Sequence, residues 1–310
     1  MSKLSIVIPS LNRGRVLLDT IGFLQSQTIK AYEIVIVDQT SYSEGDAVKQ
    51  QLLNLDSQKV IRYYHRQEPS IPKAMNAGLL LAESEFVLFL DDDINIKPDF
   101  LEAHLNALTE HSLYAHVGQI LQPGEAPKPK HPDYQAGDGL LEDLSFPFSS
   151  TEPALIKNCM AGNLCVNRVK AVQAGGFDEN FIGAAYRFET EFCKRMIRFH
   201  GDAFYFAPQP VLYHLQSPSG GTRTNDHFLV SSSPRHSVGD YYYAFLEGDV
   251  NDGTTYSLRR FFCSVKARFY LKKPWYIPVR LFAELRGFLM AWKLYRQGAR
   301  HCKQNLGDDV

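Results

Sequence analysis

Four short apolar runs near the N-terminus restrict the fold more than any other feature of this 310-residue chain. Each run is continuous and rich in β-branched or aromatic residues, as expected for a strand covered on both faces. Between the runs, apolar residues recur at helical spacing, as at Leu17, Ile21 and Leu24. Such strand–helix units predict an α/β fold, with a mostly parallel, twisted, Rossmann-like sheet flanked by helices. The four predicted strands are residues 4–8, 33–37, 60–64 and 86–90.

The alternation of strands and helices is interrupted by a proline-rich segment. Residues 122–153 contain six of the sixteen prolines, which predicts a long loop that is either functional or mobile. A helix is predicted near residues 190–199 and a strand at residues 211–215. We therefore expect one catalytic domain and a basic, partly helical C-terminal extension. The expected boundaries are 1–225 for the catalytic domain, divided into a nucleotide-binding half (1–120) and an acceptor half (121–225), and 226–310 for the extension.

The C-terminal segment is strongly basic, although the net charge of the whole chain is −1. From Tyr256 to Leu306 there are twelve Lys or Arg residues and one acid, Glu284. A stripe of apolar residues at helical spacing lies in the same segment. Two interpretations stay open: a helix packed on the catalytic domain with a solvated basic face, or a helix lying on an anionic membrane surface. The stripe consists of Leu281, Leu285, Phe288, Leu289, Trp292 and Tyr295.

The expected cellular location depends on targeting signals. The N-terminus has a strand-like apolar run rather than a signal-peptide pattern, and no apolar stretch reaches the roughly 18 residues that would span a bilayer. We therefore expect a cytoplasmic protein, either free or held peripherally at the inner face of the plasma membrane by residues 256–306. Nothing outside that segment indicates nucleic-acid binding, so no nucleic-acid partner is expected.

Polar and acidic residues follow three of the predicted strands, at the edge where an open parallel sheet binds its ligands. The most informative are Asp91, Asp92 and Asp93, because adjacent carboxylates repel one another unless a cation or hydrogen-bond donors compensate them. Mg²⁺ and Mn²⁺ bind carboxylate oxygens and share substrate phosphates. The chain has neither a GxGxxG motif after a strand nor a P-loop, so a metal ion is the natural partner for a diphosphate. An acidic turn that caps the next helix is the structural alternative.

Taken in order along the chain, these and further motifs resemble glycosyltransferase family 2, whose members are inverting enzymes of the GT-A fold. The resemblance implies transfer of a sugar from a nucleotide-sugar donor to a hydroxyl of a saccharide or lipid-linked acceptor. It further implies Mn²⁺ or Mg²⁺ as cofactor and a role in synthesis of cell-surface polysaccharides or glycoconjugates. The segments that carry it are SIVIPSLNR (5–13), VD (37–38), AMNAG (74–78), FLDDD (89–93), AGN (161–163) followed by Arg168, and FETEF (188–192) followed by Arg195.

The resemblance also implies roles for individual residues. Asp93 is the first choice as direct metal ligand, and Asp91 is a second. His214 matches a position where many relatives place a further ligand, although a histidine satisfied by a hydrogen bond at a strand end is an equal alternative. The expected nucleotide-sugar-binding residues are Pro9, Ser10, Asn12, Arg13, Asp38, Gln39, Lys73, Asn76, Asp91, Asp92 and Asn163.

An inverting transfer needs a general base that accepts the proton of the acceptor hydroxyl, and the family places this carboxylate in an acidic pair that opens a helix. Here the pair is Glu189 and Glu191, the two candidate catalytic residues. They are about 200° apart around a helix, so both side chains cannot face the sugar. We interpret Glu191 as the partner of Arg195 in a surface ion pair. Glu189, which aligns with the usual base, is therefore preferred.

Departures from the family pattern leave the donor nucleotide open. Gln39 stands where many relatives have a second Asp, and Gln both donates and accepts hydrogen bonds, so thymidine and guanosine donors stay open beside uridine. Ser70 and Met75 replace a Gly and an Arg of the family, and Lys73 is a candidate to supply the lost charge. Two other functions stay open: a metal-dependent sugar nucleotidyltransferase, and a degenerate, non-catalytic scaffold.

Overall fold

The computed structural model describes residues 3–111, 113–129, 140, 144, 146–217, 219–221 and 228–302. Much of the predicted loop (130–139), the predicted domain boundary at residue 225 and the end of the extension (303–310) lie outside the described residues. The described strands are β1 (Leu4–Ser10), β2 (Glu33–Asp38), β3 (Arg62–His65), β4 (Phe86–Leu90), β5 (Ile94–Ile96), β6 (Ala115–Leu121), β7 (Ala154–Ile156), β8 (Asn163–Asn167) and β9 (Phe204–His214).

Ten α-helices accompany the strands in the part of the chain that the structure describes. The first four lie between the strands of the N-terminal half, as the sequence predicts, and the helix predicted near residues 190–199 is the sixth. The helices are α1 (Gly14–Gln25), α2 (Ala47–Ser57), α3 (Ile71–Leu81), α4 (Phe100–His111), α5 (Arg168–Gln173), α6 (Phe188–His200), α7 (Val238–Glu247), α8 (Val250–Cys263), α9 (Arg268–Lys272) and α10 (Ile277–Gln297).

The strands form one mixed sheet in the order β3-β2-β1-β4-β8-β6-β9-β5, with β7 paired to β9. The four N-terminal strands pair in parallel, as predicted. The second half differs, because β8 runs antiparallel to β4 and β6, and β9 runs antiparallel to β5 and β7. These antiparallel registers place Asn163 opposite Leu90 and His214 opposite Ile94. Two distant segments thereby reach the end of β4.

Apolar side chains cover both faces of the sheet, which explains why the N-terminal strands read as continuous apolar runs. Along β1, Val7 belongs to one buried cluster, while Ile6 and Ile8 belong to the other. Helix α3 approaches the first face closely at Gly78, where an added Cβ would lie 2.2 Å from Cγ1 of Val7. The two clusters hold the strand ends in fixed positions relative to one another.

The C-terminal extension is helical, and its apolar stripe packs on the rest of the molecule only in part. Helix α10 lies against α7 through small residues, including Ala283, Gly287 and Ala291, which are buried. Leu289 and Trp292 of the stripe stay exposed, at 57% and 46%. Small residues permit the closest approach of two helices, and the Phe288 ring also packs inward against Tyr241 and Phe245 of α7. No helix of the described residues is long and apolar enough to cross a membrane.

Candidate functional site

The aspartate triplet occupies the turn between β4 and β5, and the pairing of β5 with β9 places His214 beside it. Asp91, Asp93 and His214 each offer one ligand atom, and these atoms lie within 4.8 Å of one another. The Asp93 side chain is completely buried, and its Oδ1 has no hydrogen bond of good geometry among the described residues. A buried carboxylate oxygen left in this state is costly unless a cation compensates it. The donor set of two carboxylates and one imidazole therefore fits a divalent ion that also takes substrate phosphates.

The orientation of His214 is fixed by Gln122. The Nδ1 atom of His214 lies 3.1 Å from Oε1 of Gln122, which also accepts a hydrogen bond from the side-chain amide of Gln216. Because a carbonyl oxygen only accepts, Nδ1 must carry the hydrogen and Nε2 faces Asp93 at 3.1 Å. Burial would lower the pKa of His214, but the Asp93 carboxylate 3.1 Å away and the charge of Asp91 outweigh it and raise the pKa.

Asp92 and Asp93 have opposite pKa shifts. Burial raises the pKa of Asp92 to about 6, although Arg13 and Ser10 oppose this rise. Burial would also raise the pKa of Asp93, but His214, the Ser217 amide and Arg13 outweigh it and leave the pKa below its usual range. Asp93 is thus held ionised, as a metal ligand must be.

Arg13 and Ser10 connect the first strand to the triplet. The Ser10 hydroxyl donates to Asp92 (2.7 Å), and Nη1 of Arg13 lies 3.0 Å from a carboxylate oxygen of both Asp92 and Asp93. Ser10 and Arg13, two predicted donor-binding residues, therefore both contact a third, Asp92. The guanidinium supplies positive charge directly beside the candidate metal site.

Two residues that the sequence analysis missed support this site. The Thr20 hydroxyl donates to the carbonyl oxygen of Asp92 (2.8 Å) and so holds the turn. No sequence signal marks it, because it lies on the buried face of α1 among apolar residues. Gln122 directly follows β6, so the same search for polar residues after strands would have found it had β6 been recognised.

Glu189 and the triplet contact adjacent residues of one segment. The Ala161 amide donates to Oε1 of Glu189 (2.8 Å). A Cβ added to the next residue, Gly162, would lie 2.3 Å from Oδ2 of Asp91. The candidate base and a candidate metal ligand are thus held one residue apart on the same stretch of backbone. Glu189 is half-buried.

The residue that precedes α6, Arg187, has a left-handed backbone conformation. Arg187 has φ of 73°, which is uncommon for a residue with a side chain. Its Nε donates to Asp240 of α7 (3.0 Å) and to the Tyr256 hydroxyl of α8 (3.3 Å). Contacts with the C-terminal helices therefore hold the turn that begins two residues before Glu189.

Glu191 differs from the prediction in its environment. Its carboxylate makes two hydrogen bonds with Arg195 (2.6 and 2.9 Å), as expected from the sequence. The ion pair is not on the surface, however, because the Glu191 and Arg195 side chains are 4% and 12% exposed. Arg195 also donates to the carbonyl oxygens of Ala174 and Gly176. The prediction of a surface pair was wrong, and the geometry favours a structural role for Glu191.

Two predicted donor-binding residues, Asp38 and Gln39, lie at the end of β2, next to β1. The Asp38 carboxylate accepts from the Thr40 amide and the Tyr63 hydroxyl, both at 3.0 Å. Oε1 of Gln39 accepts from the Ser70 amide at 2.5 Å, so this side chain joins β2 to the start of α3. Both Asp38 and Gln39 are buried.

Two further predicted donor-binding residues lie close by, Pro9 near the end of β1 and Asn12 in the turn that follows it. Pro9 pairs with Val37 in the sheet. Asn12 adopts φ of 56°, and its amide donates to the Thr40 hydroxyl at 2.7 Å. The chain after β1 is therefore fixed against the chain after β2.

Lys73, Asn76 and Asn163 are not brought to the triplet by any contact among the described residues. Lys73 pairs with the exposed Glu68 at 2.8 Å. The buried Asn76 side chain bonds to the main chain of Phe177. These interactions give no support to the predicted donor-binding roles of Lys73 and Asn76.

Asn163 belongs to a buried polar network. Its Oδ1 lies 2.9 Å from Nε2 of His104, whose Nδ1 lies 2.7 Å from Nε2 of His116. The Asn163 amide donates to the carbonyl oxygens of Gln119 and Pro210. All of its hydrogen-bonding groups are thereby used inside the sheet, and its predicted donor-binding role also finds no support here.

Comparison with known proteins relates the chain to sugar transferases. Residues 5–174 match the family model described as glycosyl transferase family 2. Over 121 residues the chain is 36% identical to the GalNAc(5)-diNAcBac-PP-undecaprenol β-1,3-glucosyltransferase of Campylobacter jejuni, covering 38% of this chain and 37% of that enzyme. Over 99 residues it is 30% identical to the poly(ribitol-phosphate) β-N-acetylglucosaminyltransferase TarP of Staphylococcus aureus, covering 30% of this chain and 29% of that protein. The matched regions thus span about a third of these two relatives.

Solved structures share the fold at low sequence identity. TarS residues 1–349 of S. aureus, in complex with UDP-GlcNAc, match with a TM-score of 0.59 and 16% identity, covering 96% of this chain and 92% of that chain. The mannosyltransferase PcManGT of Pyrobaculum calidifontis, in complex with GDP-Man and Mn²⁺, matches with a TM-score of 0.55 and 15% identity, covering 96% and 79%. The GT-A fold expected from the sequence is thereby confirmed.

Proposed function

This chain belongs to glycosyl transferase family 2, and from that premise we propose that it is a metal-dependent, inverting sugar transferase. The donor is a nucleoside diphosphate sugar. The acceptor is a hydroxyl of a saccharide or of a lipid-linked saccharide, in the synthesis of a cell-surface polysaccharide or glycoconjugate. Support for the donor and acceptor classes comes from the names of the related proteins, one of which acts on an undecaprenol diphosphate-linked saccharide.

The observation that carries the proposal is the cluster of Asp91, Asp93 and His214 at the end of β4. Asp93 and Asp91 would hold Mn²⁺ or Mg²⁺, with Nε2 of His214 as a nitrogen ligand. A divalent ion bound there would neutralise the charge that develops on the departing diphosphate. Arg13, which contacts Asp92 and Asp93, adds a second positive charge on the side of the nucleotide.

Glu189 is proposed as the general base. Its carboxylate accepts the proton of the acceptor hydroxyl while that oxygen bonds to the anomeric carbon of the sugar. The bond between the anomeric carbon and the diphosphate oxygen breaks on the opposite side, and the nucleoside diphosphate leaves. The hydrogen bond from the Ala161 amide orients the carboxylate. Glu191 is less suited, because both of its oxygens are bonded to Arg195.

Replacement of the base by its amide tests this assignment. Glu189→Gln keeps the size of the side chain but cannot accept the proton, so transfer should fall by about 10²–10⁴-fold. Binding of the donor with Mn²⁺, measured by calorimetry across UDP-, dTDP- and GDP-sugars, should not change. Glu110→Gln, an exposed change on α4, is the matched control and should keep full activity.

The products of the same assay separate the alternatives. Release of nucleoside diphosphate from the nucleotide sugar agrees with sugar transfer. A nucleotidyltransferase would instead release pyrophosphate when it is given a nucleoside triphosphate and a sugar 1-phosphate. If the wild-type protein binds no nucleotide sugar in the presence of either Mn²⁺ or Mg²⁺, the result would indicate a non-catalytic scaffold. Full transfer by Glu189→Gln would remove Glu189 from the mechanism.

A further inference from the structure

The outer face of α10 combines exposed apolar and basic side chains, of which Trp292 also contacts the Phe245 ring and Arg286 donates to the carbonyl oxygen of Ser232. We call this set the α10 outer face. It contains seven exposed residues that fall within about 120° around the helix axis. The apolar members are Phe282, Leu285, Leu289 and Trp292, and the basic members are Arg286, Lys293 and Arg296.

The opposite side of α10 is already occupied. Ala283, Gly287 and Ala291 are buried there, and an added Cβ at Gly287 would lie 2.2 Å from the hydroxyl oxygen of Ser237. Glu284 on this side is completely buried and accepts from the Tyr241 hydroxyl at 2.8 Å. The orientation of the helix is therefore fixed by close packing and a buried carboxylate, so the outer face cannot rotate inward.

Segments near α10 in the sequence also carry large, exposed apolar side chains. Leu271 at the end of α9 and Trp275 just before α10 are 85% and 65% exposed. Phe262 on α8 is 61% exposed. Isolated exposed apolar residues are ordinary, but the four large ones that share one face of α10 are typical of an interaction surface.

The charge of this region has one sign. Residues 256–302 contain eleven Lys or Arg and a single acid, Glu284, which is buried in its ion pair with Arg280. No acidic side chain between these limits is therefore exposed. Apolar residues flanked by basic ones match the layered structure of an anionic membrane surface, in which acyl chains lie beneath phosphate groups.

We propose that the α10 outer face docks on an anionic lipid bilayer and holds the transferase at the membrane surface. Its biological meaning rests on the proposed function, because a lipid-linked acceptor would be presented at that surface. A second copy of the chain is a poorer occupant. A twofold interface would bring the same basic residues of two copies together, and like charges repel.

Vesicle binding by the full chain tests the proposal. Wild type should sediment with vesicles of equimolar phosphatidylglycerol and phosphatidylcholine, and poorly with phosphatidylcholine alone. The double change Leu285→Ser with Leu289→Ser should weaken binding about tenfold, because it removes apolar area from the interface. Lys293→Glu reverses one charge and should weaken binding by up to about thirtyfold at low salt.

Matched controls separate a surface effect from a general one. Leu155→Ser with Val169→Ser alters two side chains of similar exposure, 62% and 53%, on β7 and α5. Lys97→Glu reverses one exposed charge before α4. Both controls should bind vesicles like wild type, and circular dichroism should be the same for all variants.

Two results would overturn the proposal. One is equal binding of wild type, face variants and controls to the anionic vesicles. The other is a wild type that ignores vesicles but sediments in solution as a dimer, which the face variants convert to a monomer. Mn²⁺ binding, followed by electron paramagnetic resonance in the absence of vesicles, reports on the candidate metal site independently. If the wild-type protein does not bind Mn²⁺, the proposed metal site is refuted, whereas the proposed docking on the membrane is not.

Discussion

A single methyl group at Gly162 should disturb the candidate metal site without replacing any proposed ligand. In Gly162→Ala the new Cβ would lie 2.3 Å from Oδ2 and 2.8 Å from Cγ of Asp91. The carboxylate must retreat to at least 3.0 Å, a shift of about 0.7 Å. The backbone at Gly162 is outside the left-handed region, so alanine itself is tolerated there and the strain falls on Asp91.

The size of the effect follows from metal geometry. Ligand distances in metal sites hold to about 0.2 Å, so a displacement of several tenths of an ångström removes Asp91 from effective coordination. Loss of orientation of one ligand weakens metal binding by about 10–100-fold. Titration of the protein with Mn²⁺, followed by electron paramagnetic resonance or calorimetry, measures this directly. Asp91→Asn should give a loss of similar size.

The control is another glycine that has room for a methyl group. An added Cβ at Gly22 on α1 meets nothing within 4 Å, so Gly22→Ala should leave Mn²⁺ affinity unchanged and stabilise the helix by up to about 1 kcal/mol. Mn²⁺ affinity in Gly162→Ala equal to that of wild type, with an unchanged melting temperature, would show that Asp91 does not coordinate the ion.

Two further predictions concern buried ionisable groups away from the triplet. Burial lowers the pKa of His116 to about 3, so the unfolded chain binds a proton below pH 6.5 that the folded chain does not. Stability is therefore full above that pH and falls as the pH decreases. The free energy of unfolding, measured with urea, should fall between pH 7 and pH 5 by about 2 kcal/mol less in His116→Gln than in wild type. An identical pH dependence of the two proteins would refute this. Glu284→Ala should lower the free energy of unfolding by about 3–5 kcal/mol, because it leaves Arg280 buried without its carboxylate. The exposed Glu44→Ala should change it by less than about 0.5 kcal/mol, and equal effects of the two changes would show that the buried pair contributes little.

Local sequence patterns were sufficient to predict the first four strands and the position of the triplet, but not β5 or β6. A strand covered on both faces has to be a continuous apolar run, and the polar residues that follow it have to lie at one edge of the sheet. His214 was placed by resemblance, and its pairing opposite Ile94 agrees with that assignment. The inward packing of α10 was not predictable, because hydrophobic spacing alone does not reveal that Ala283 and Gly287 permit closer contact than the larger apolar stripe.

The partners of individual polar side chains were decided only in the tertiary structure. Asn76 was assigned to the donor, yet it bonds to Phe177, which is 101 residues away. Gln122 orients His214 across 92 residues. The sequence alone determined which polar groups lie at the end of β4, because the residues that follow a buried strand emerge at the edge of the sheet. Which carboxylate lies in the candidate metal site, and which is held in an ion pair like that of Glu191, depends on long-range contacts that no local pattern encodes.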